Sequence, residues 1–545
     1  MAKKQTFFSL KNLRKALAIF MFGMLTFFFV DFNHTIITRW HILAHIQLIP
    51  AILAGSLGIF AILILLTLLF GRIYCSVICP MGILQDIIAW FSKKINKKKK
   101  YSYSKPKNIL RWSVLTVFII AIIFHIPLLV GLLEPYSIFG RIATHIFRPI
   151  YFEINNLFEK LFTSLGYYLF YKTNVVFSLH SFLIAIISFL AIGFFAWKHG
   201  RTFCNTICPT GTILGLISKN SFFKIQINKE NCNHCSVCAT KCKAACINSK
   251  EQKIDYSRCV DCFDCLSVCN QKAMKYNLSF LRKQESLDVK AIAGQARNDI
   301  DYGKRKLFLS KHSKFLKLGM FKNNVDSGRR KFLATGLLTA ISIPALLAEG
   351  KQNLFGGTVS RKTPISPPGS QSFKNLFQKC TSCHLCISKC PSKVLKPAFM
   401  EYGLAGMMQP TMSFENGYCN YNCTICSEVC PSGALMPLTK QQKHETQVGK
   451  VNLRRNICVV VADEHNCGAC AEHCPTQAVT MVPYKNGLTV PQINPDICVG
   501  CGGCEYICPV RPNRAIYVEG NEIHQKAKIE NNEEDKSSVI KGFGF

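Results

Sequence analysis

At 545 residues the chain exceeds one ordinary domain, and 49% of it is hydrophobic. Its 66 lysines and arginines against 31 acids give a formal charge of +35, but the lysines gather beside apolar segments, which argues against nucleic-acid binding. Of the 29 cysteines, 24 fall into six runs of four. Such repetition excludes a disulfide framework and makes these thiols metal ligands.

Residues 1–220 read as an α-helical membrane domain. Apolar stretches at Ala16–Val30, Ile46–Phe70, Ile109–Leu133 and Val175–Trp197 are the expected spans, a bilayer core requiring about 20 apolar residues. Lys93–Lys107 carries eight lysines and no acid. The positive-inside rule therefore puts the N-terminus, this loop and the stretch after Trp197 in the cytoplasm. The domain contains a repeat: Gly71–Leu84 is GRIYCSVICPMGIL and Gly200–Leu214 is GRTFCNTICPTGTIL. Two helical hairpins related by a pseudo-twofold axis would bring Cys75, Cys79, Cys204 and Cys208 together. These four would form a further metal or thiol site, unless they merely let a tight turn pack under the bilayer.

Residues 221–277 contain Cys232, Cys235, Cys238 and Cys242, then Cys259, Cys262, Cys265 and Cys269. Two consecutive CxxCxxCxxxC runs are the two-cluster ferredoxin pattern, in which the fourth cysteine crosses to the other cluster. Cys232, Cys235, Cys238 and Cys269 are thus expected on one 4Fe–4S cluster, and Cys259, Cys262, Cys265 and Cys242 on the other. Lys243 and Asn270 stand where a proline usually follows, and Cys246 is left over as a packing residue. Residues 278–328 read as a basic linker.

At 329–348 a twin arginine precedes a mostly apolar segment. SGRRKFL, Ser327–Leu333, resembles the twin-arginine export signal; the alternative is the cytoplasmic flank of a fifth helix. Either way the following residues lie outside the cytoplasm, and an uncleaved anchor is expected. After a Gly/Pro/Ser linker at 349–374, residues 375–520 carry four runs, each followed by proline. They are Cys380, Cys383, Cys386 and Cys390; Cys419, Cys423, Cys426 and Cys430; Cys458, Cys467, Cys470 and Cys474; and Cys498, Cys501, Cys504 and Cys508. Sixteen thiolates suffice for four 4Fe–4S clusters, with sequential and nested pairing of the runs both open. Cys380-Thr-Ser-Cys383-His384 also spells a haem-attachment signature, but using two of its cysteines that way would orphan Cys386 and Cys390. Residues 521–545 read as a disordered tail.

The membrane half, with GRIYCSVICP, GRTFCNTICP and the paired runs from Cys232, resembles the NapH-type membrane ferredoxins. The half after Arg329, with YCNYNCTICSEVCPSGAL and ICVGCGGCEYICPVRP, resembles the NapG/MauM-type periplasmic polyferredoxins. The resemblance implies a quinol-oxidising conduit in the inner membrane that feeds a periplasmic reductase or cytochrome, with two cytoplasmic and four periplasmic 4Fe–4S clusters. The first span's position near the N-terminus leaves no expected place for the flavin-binding domain of some relatives. Quinone as substrate requires a proton acceptor near the bilayer surface and an apolar slot. His41, His45, Gln47 and Glu134, with the deeper His125, are the candidates, though side chains so placed are more often interfacial than ligands. The expected fold is therefore mixed: four spans plus one further helix, with α+β bacterial-type ferredoxin modules on both sides. Two other classes compete with the conduit: a redox maturation factor for another metalloenzyme, and a binding platform with structural clusters.

Overall fold

The computed structural model describes residues 9–31, 42–96, 100–173, 178–278, 359 and 361–528. The chain divides into two units, Phe280–Ser360 and the remainder. The expected basic linker and twin-arginine segment fall in the first of these, outside the described residues except for Leu278.

Helix α1, Leu10–Val30, starts where the Ser9 side chain accepts from the Asn12 N–H, and it runs 21 residues to Asp31, about 30 Å. Arg14, Ala18, Met21, Leu25, Phe28 and Phe29 recur every three or four residues and are buried. Leu17, Ile19 and Phe27 are exposed. Thus α1 has apolar side chains both on its packed face and outside it. Helix α2 is Leu57–Phe70, α3 Pro80–Ile95, α4 Asn108–Ile123 and α5 Arg148–Ser164. Helix α6, Leu179–His199, buries Ser181, Ala185 and Ala196, small residues that let neighbouring helices approach.

Among the described residues two helices, α1 and α6, are long and apolar enough to cross a membrane. The other two expected spans, Ile46–Phe70 and Ile109–Leu133, are not continuous. The first divides into Leu48–Leu53 and α2 around Gly55, at φ 71°. The second divides into α4 and Pro127–Leu133 around His125, at φ 52°. Pro127 lacks the N–H that would continue α4 and instead opens the next helix. Four continuous spans are therefore not supported.

The repeat folds as two equivalent loops. Helix α2 stops at Gly71, the chain makes one turn at Tyr74–Val77, and Cys79 begins α3. Likewise α6 stops at Gly200, Thr202–Thr206 makes a turn, and Cys208 begins α7, Pro209–Ser218. Proline at the first helical position suits both starts. Helix α3 packs on α6 and α1, while α7 packs on α2 and α4. Each repeat thus covers the helices of the other, as a pseudo-twofold relation requires. Gly71 (φ 75°) and Gly200 (φ 72°) are needed twice over: a Cβ on them would lie 2.4 Å from Asp261 Oδ2 and 2.6 Å from the Lys243 carbonyl.

Asp261 and Lys243 belong to the first cysteine-rich module, in which β1, Phe223–Ile227, pairs antiparallel with β2, Met274–Leu278. The second module is built on β3, Thr446–Leu453, antiparallel to β4, Ile516–Lys526. Strand β4 extends into the stretch read as a disordered tail, of which 529–545 lie outside the described residues. Part of the expected linker at 349–374 is also core: Ile365, Ser366 and Ser370 are fully buried, and Ser366 Oγ lies 2.8 Å from His524 Nε2 on β4.

The modules contact opposite ends of α1. Lys11 Nζ pairs with Asp264 of the first at 3.1 Å, and Asp31 pairs with Lys389 of the second at 3.0 Å. The latter pair is buried, 4% and 3% exposed, with the ammonium 4.8 Å from the Phe28 ring. Removing one partner of a buried pair costs about 3–5 kcal/mol, whereas replacing both with apolar groups is often neutral. Lys389→Met should therefore lower the thermal unfolding midpoint and speed proteolytic release of the second module, and Asp31→Leu/Lys389→Met should restore most of the loss. A single variant as stable as the double would remove this contact as the clasp.

Candidate metal centres

In four of the six runs, backbone conformation forms a cup around the second cysteine. Its neighbours on both sides are left-handed: His234 and Ser236, Asp261 and Phe263, Ser382 and His384, Gly500 and Gly502. Six of these eight are not glycine, and each such residue costs about 1–2 kcal/mol. Strain of this kind collects at binding sites. Residues so curled aim successive N–H groups into one concavity, the arrangement that receives anions and iron–sulfur groups. The sulfurs already accept some of them, from Ser382 N to Cys380 Sγ (3.4 Å) and from Gly500 N to Cys498 Sγ (3.3 Å).

The fold brings the 24 cysteines of the runs together in sets of four. Cys232, Cys235, Cys238 and Cys269 line one cavity. Cys242 is within electrostatic reach of Cys259, Cys262 and Cys265. In the second module Cys430 joins Cys380, Cys383 and Cys386, and Cys390 lines a cavity with Cys419, Cys423 and Cys426. Cys474 joins Cys498, Cys501 and Cys504, and Cys508 lines a cavity with Cys458, Cys467 and Cys470. The first run of this module thus places its fourth cysteine with the second run and the third with the fourth, the grouping that the sequential arrangement expects. The two nitrogens of His384 face His145 Nε2 at 2.7 Å and the Met408 carbonyl at 2.9 Å, not a haem. Cys246 is fully buried with its sulfur 3.5 Å from Cys242 Sγ, at the edge of a set rather than in remote packing.

Among the described residues no three or more Cys, His, Asp or Glu side chains converge closely enough for a single metal ion. Four sulfurs about 2.3 Å from one zinc would do so. Quartets spread around a cavity fit a multi-atom cluster. Burial also pushes the Cys386, Cys426 and Cys504 thiols well above their ordinary value, and iron held there would take the place of that proton.

Cys75, Cys79, Cys204 and Cys208 form a seventh buried quartet, each within electrostatic reach of others in the set. Their surroundings follow the pseudo-twofold. Arg72 donates to the Cys204 carbonyl (3.2 Å) and Arg201 to the Cys75 carbonyl (2.7 Å). Gly211 N donates to Cys208 Sγ at 3.3 Å, Gly82 N to Cys79, and Gln85 Nε2 to Cys204 Sγ at 3.1 Å. Donors aimed at sulfur suit a thiolate rather than an idle turn.

The seven quartets are arranged in one sequence. Cys238 lies in reach of Cys265, and Arg201 in reach of both Cys262 and Cys204. Glu134 lies in reach of both Cys79 and Cys383. Cys386 lies in reach of Cys426, the Cys419 N–H donates to the Cys501 carbonyl at 2.9 Å, and Cys504 lies in reach of Cys470.

The expected quinol-site residues are divided by the fold. Gln47, fully buried, accepts from the Tyr74 hydroxyl at 2.9 Å. Glu134, 2% exposed, accepts the Tyr136 N–H at 3.0 Å and that of Ser137, capping the helix Pro135–Ile142. Both are near Tyr74. His45 is partly buried, His125 sits in an exposed turn 3.4 Å from Gln378, and His41 lies outside the described residues. Sequence reasoning missed His145 and Arg141, buried beside the Cys383 set. It also missed Tyr74, the aromatic position of the repeat.

Family models match three stretches of the chain. A 4Fe–4S binding domain matches residues 53–98 and again 181–230, one match per repeat. A 4Fe–4S dicluster domain matches residues 465–511. The chain is 28% identical over 238 residues to an uncharacterized protein of Methanocaldococcus jannaschii, covering 43% of this chain and 84% of the relative. It is 28% identical to the ferredoxin-type protein NapG of Escherichia coli, covering 34% and 82%. It is 30% identical to the methylamine utilization ferredoxin-type protein MauM of Methylobacillus flagellatus, covering 29% and 71%. No solved structure matches. With its cysteine quartets and these relatives, the chain belongs to the ferredoxin-type 4Fe–4S polyferredoxins, proteins of iron–sulfur electron transfer.

Proposed function

We propose that this protein carries electrons from membrane quinol through seven iron–sulfur sites to an acceptor on the outer face of the inner membrane, a periplasmic reductase or cytochrome. The observation that carries the reading is the uninterrupted order of quartets between modules at opposite ends of α1. The Cys75 quartet supplies the link inside the helical domain. In this reading α1 and α6 cross the bilayer, and the two broken segments and the two cysteine loops complete a multi-pass domain. The NapH-like half and the NapG/MauM-like half then act as one polypeptide. The exposed apolar side chains of α1 and α6 support a lipid environment.

Clusters bound at the quartets supply one-electron redox centres. The chain's own groups do the rest. Arg72 and Arg201 neutralise thiolate charge within the helical domain, and the N–H donors from Gly82, Gly211 and Gln85 hold the sulfurs and tune their potential. Oxidising one quinol releases two electrons and two protons. Glu134, with its carboxylate between Cys79 and Cys383 and next to Tyr74 and Gln47, is the acceptor best placed for a proton as the electrons leave.

Two measurements test this. Cys79→Ser/Cys208→Ser should lower iron content by about four atoms per chain. It should also slow the reduction of one module's clusters by a menaquinol analogue at least tenfold in rapid-freeze EPR, while the other module responds normally. Reduction of both modules at the wild-type rate would remove the central quartet from the path. Separately, reporters fused after Lys272 and after Lys362 should be active in opposite compartments; activity in the same compartment overturns the transmembrane arrangement.

A further inference from the structure

A cavity beside the Cys390 quartet lies between α5 and the second module. It is lined by Arg148, Phe152, Tyr171, Lys172, Lys393 and Cys390, among others. Three cations face it and no aspartate or glutamate lines it. The negative groups in electrostatic reach of Arg148 are Cys390, on the cavity wall, and Asp31, the latter already engaged by Lys389 at 3.0 Å. The Arg148 guanidinium lies over the Phe152 ring at 4.9 Å, and its Nε is buried with no hydrogen-bond partner among the described residues. The walls are fixed. Asn155 donates to the Tyr171 carbonyl at 3.0 Å, and Asn156 both donates to the Thr173 carbonyl and accepts its N–H. Three cations around a space whose one ionisable acid is the Cys390 thiol leave room for a further anion.

The surroundings say which anion. Along α5, Ile150, Ile154, Leu157 and Leu161 are all exposed, an apolar stripe at helical spacing. After the helix, Tyr167, Tyr168, Leu169 and Phe170 are exposed too. An amphipathic helix of this kind followed by aromatic residues belongs in the plane of a bilayer surface, at headgroup depth. We propose that the cavity bounded by Arg148, Lys172 and Lys393 holds the phosphate of an anionic phospholipid headgroup. The inference rests on the membrane reading above, and it adds a lipid that fastens α5 and its following loop to the second module beside Cys390.

The test uses the full-length protein carrying its clusters, in nanodiscs of phosphatidylcholine with or without phosphatidylglycerol. Retained lipid is counted by native mass spectrometry. Wild type should retain phosphatidylglycerol in preference to phosphatidylcholine. Lys172→Gln should weaken that preference about fivefold, as expected for one cation at a lipid surface, and Arg148→Gln/Lys172→Gln/Lys393→Gln should abolish it. Equal retention by wild type and the triple variant overturns the proposal. So does stabilisation by inorganic phosphate as great as that by phosphatidylglycerol. A triple variant that loses iron while keeping the lipid overturns it as well, since the cations would then serve the Cys390 quartet. Membrane recovery after a carbonate wash keeps the two readings apart. If wild type washes off, the membrane reading fails; if wild type and variant both remain, the lipid count reports on the cavity alone.

Discussion

Everything in the helical domain hangs on two guanidiniums that have no contact with water. Arg72 and Arg201 are both 0% exposed, and a buried unpaired charge costs several kcal/mol. The fold holds both by reciprocity, with only the Arg72 Nε left without a partner among the described residues. Arg201 grips Asp86 with two nitrogens at 2.8 Å and the Cys75 carbonyl with a third at 2.7 Å. Arg72 reaches Asn205, the Ser257 carbonyl and the Cys204 carbonyl. Each arginine therefore pins the cysteine turn of the other repeat, and neither loop is satisfied without its counterpart. That mutual requirement converges the four cysteines, and the glycines at 82 and 211 allow it. A Cβ at either would fall 2.2 Å from a cysteine carbonyl.

The same arginines tie the helical domain to the first module. The Arg72 N–H donates to Asp261 at 2.9 Å, and the Arg201 N–H donates to the Lys243 carbonyl at 3.0 Å. Lys243 and Asp261 each stand next to a cysteine of the Cys259 quartet, so packing and wiring are one contact. At the other end of α1 the logic repeats with different chemistry. Arg141 donates to the Ser382 carbonyl, and His145 meets His384, again on either side of a cysteine, Cys383. Gly140 is needed there because a Cβ would meet the Cys383 carbonyl at 2.4 Å.

What was legible in the sequence follows from range. The six runs and the repeat are local patterns with fixed chemistry, so the grouping of Cys242 with Cys262 and Cys265, and of Cys269 with Cys232, Cys235 and Cys238, could be read directly. The pairing of the later runs could not, because it depends on the antiparallel match of β3 with β4, some seventy residues apart. The interruptions at Gly55 and His125 were hidden because the residues around them are as apolar as the helices they separate, and hydropathy does not register a backbone turn. The cups around the second cysteines were equally silent. Ser236 and Phe263 have no preference for left-handed backbone, and tertiary packing imposes it. Glu134 was visible as an outer-end acid, but its role as a helix cap between two quartets depends on Cys79 and Cys383, which are remote in the chain.

The two runs with widened first gaps show why the cup is not indispensable. Between Cys419 and Cys423, and between Cys458 and Cys467, no pair of left-handed residues brackets the second cysteine; Thr424 and Gly468 lie at φ −116° and −129°. In the first of these the cup's function passes to a side chain. Lys443, 8% exposed, donates to the Cys423 and Asn420 carbonyls and lies 3.5 Å from Cys419 Sγ. An ammonium in that position holds the longer loop closed and sets a positive charge against the thiolates, doing with one residue what the curled backbone does elsewhere. In the second, Cys458 begins a helical turn, Val459–Ala462, and the Val461 and Ala462 N–H groups donate back to its carbonyl. The constant feature across all six runs is therefore a loop held shut around its thiols; the means of closure varies with the length of the gap.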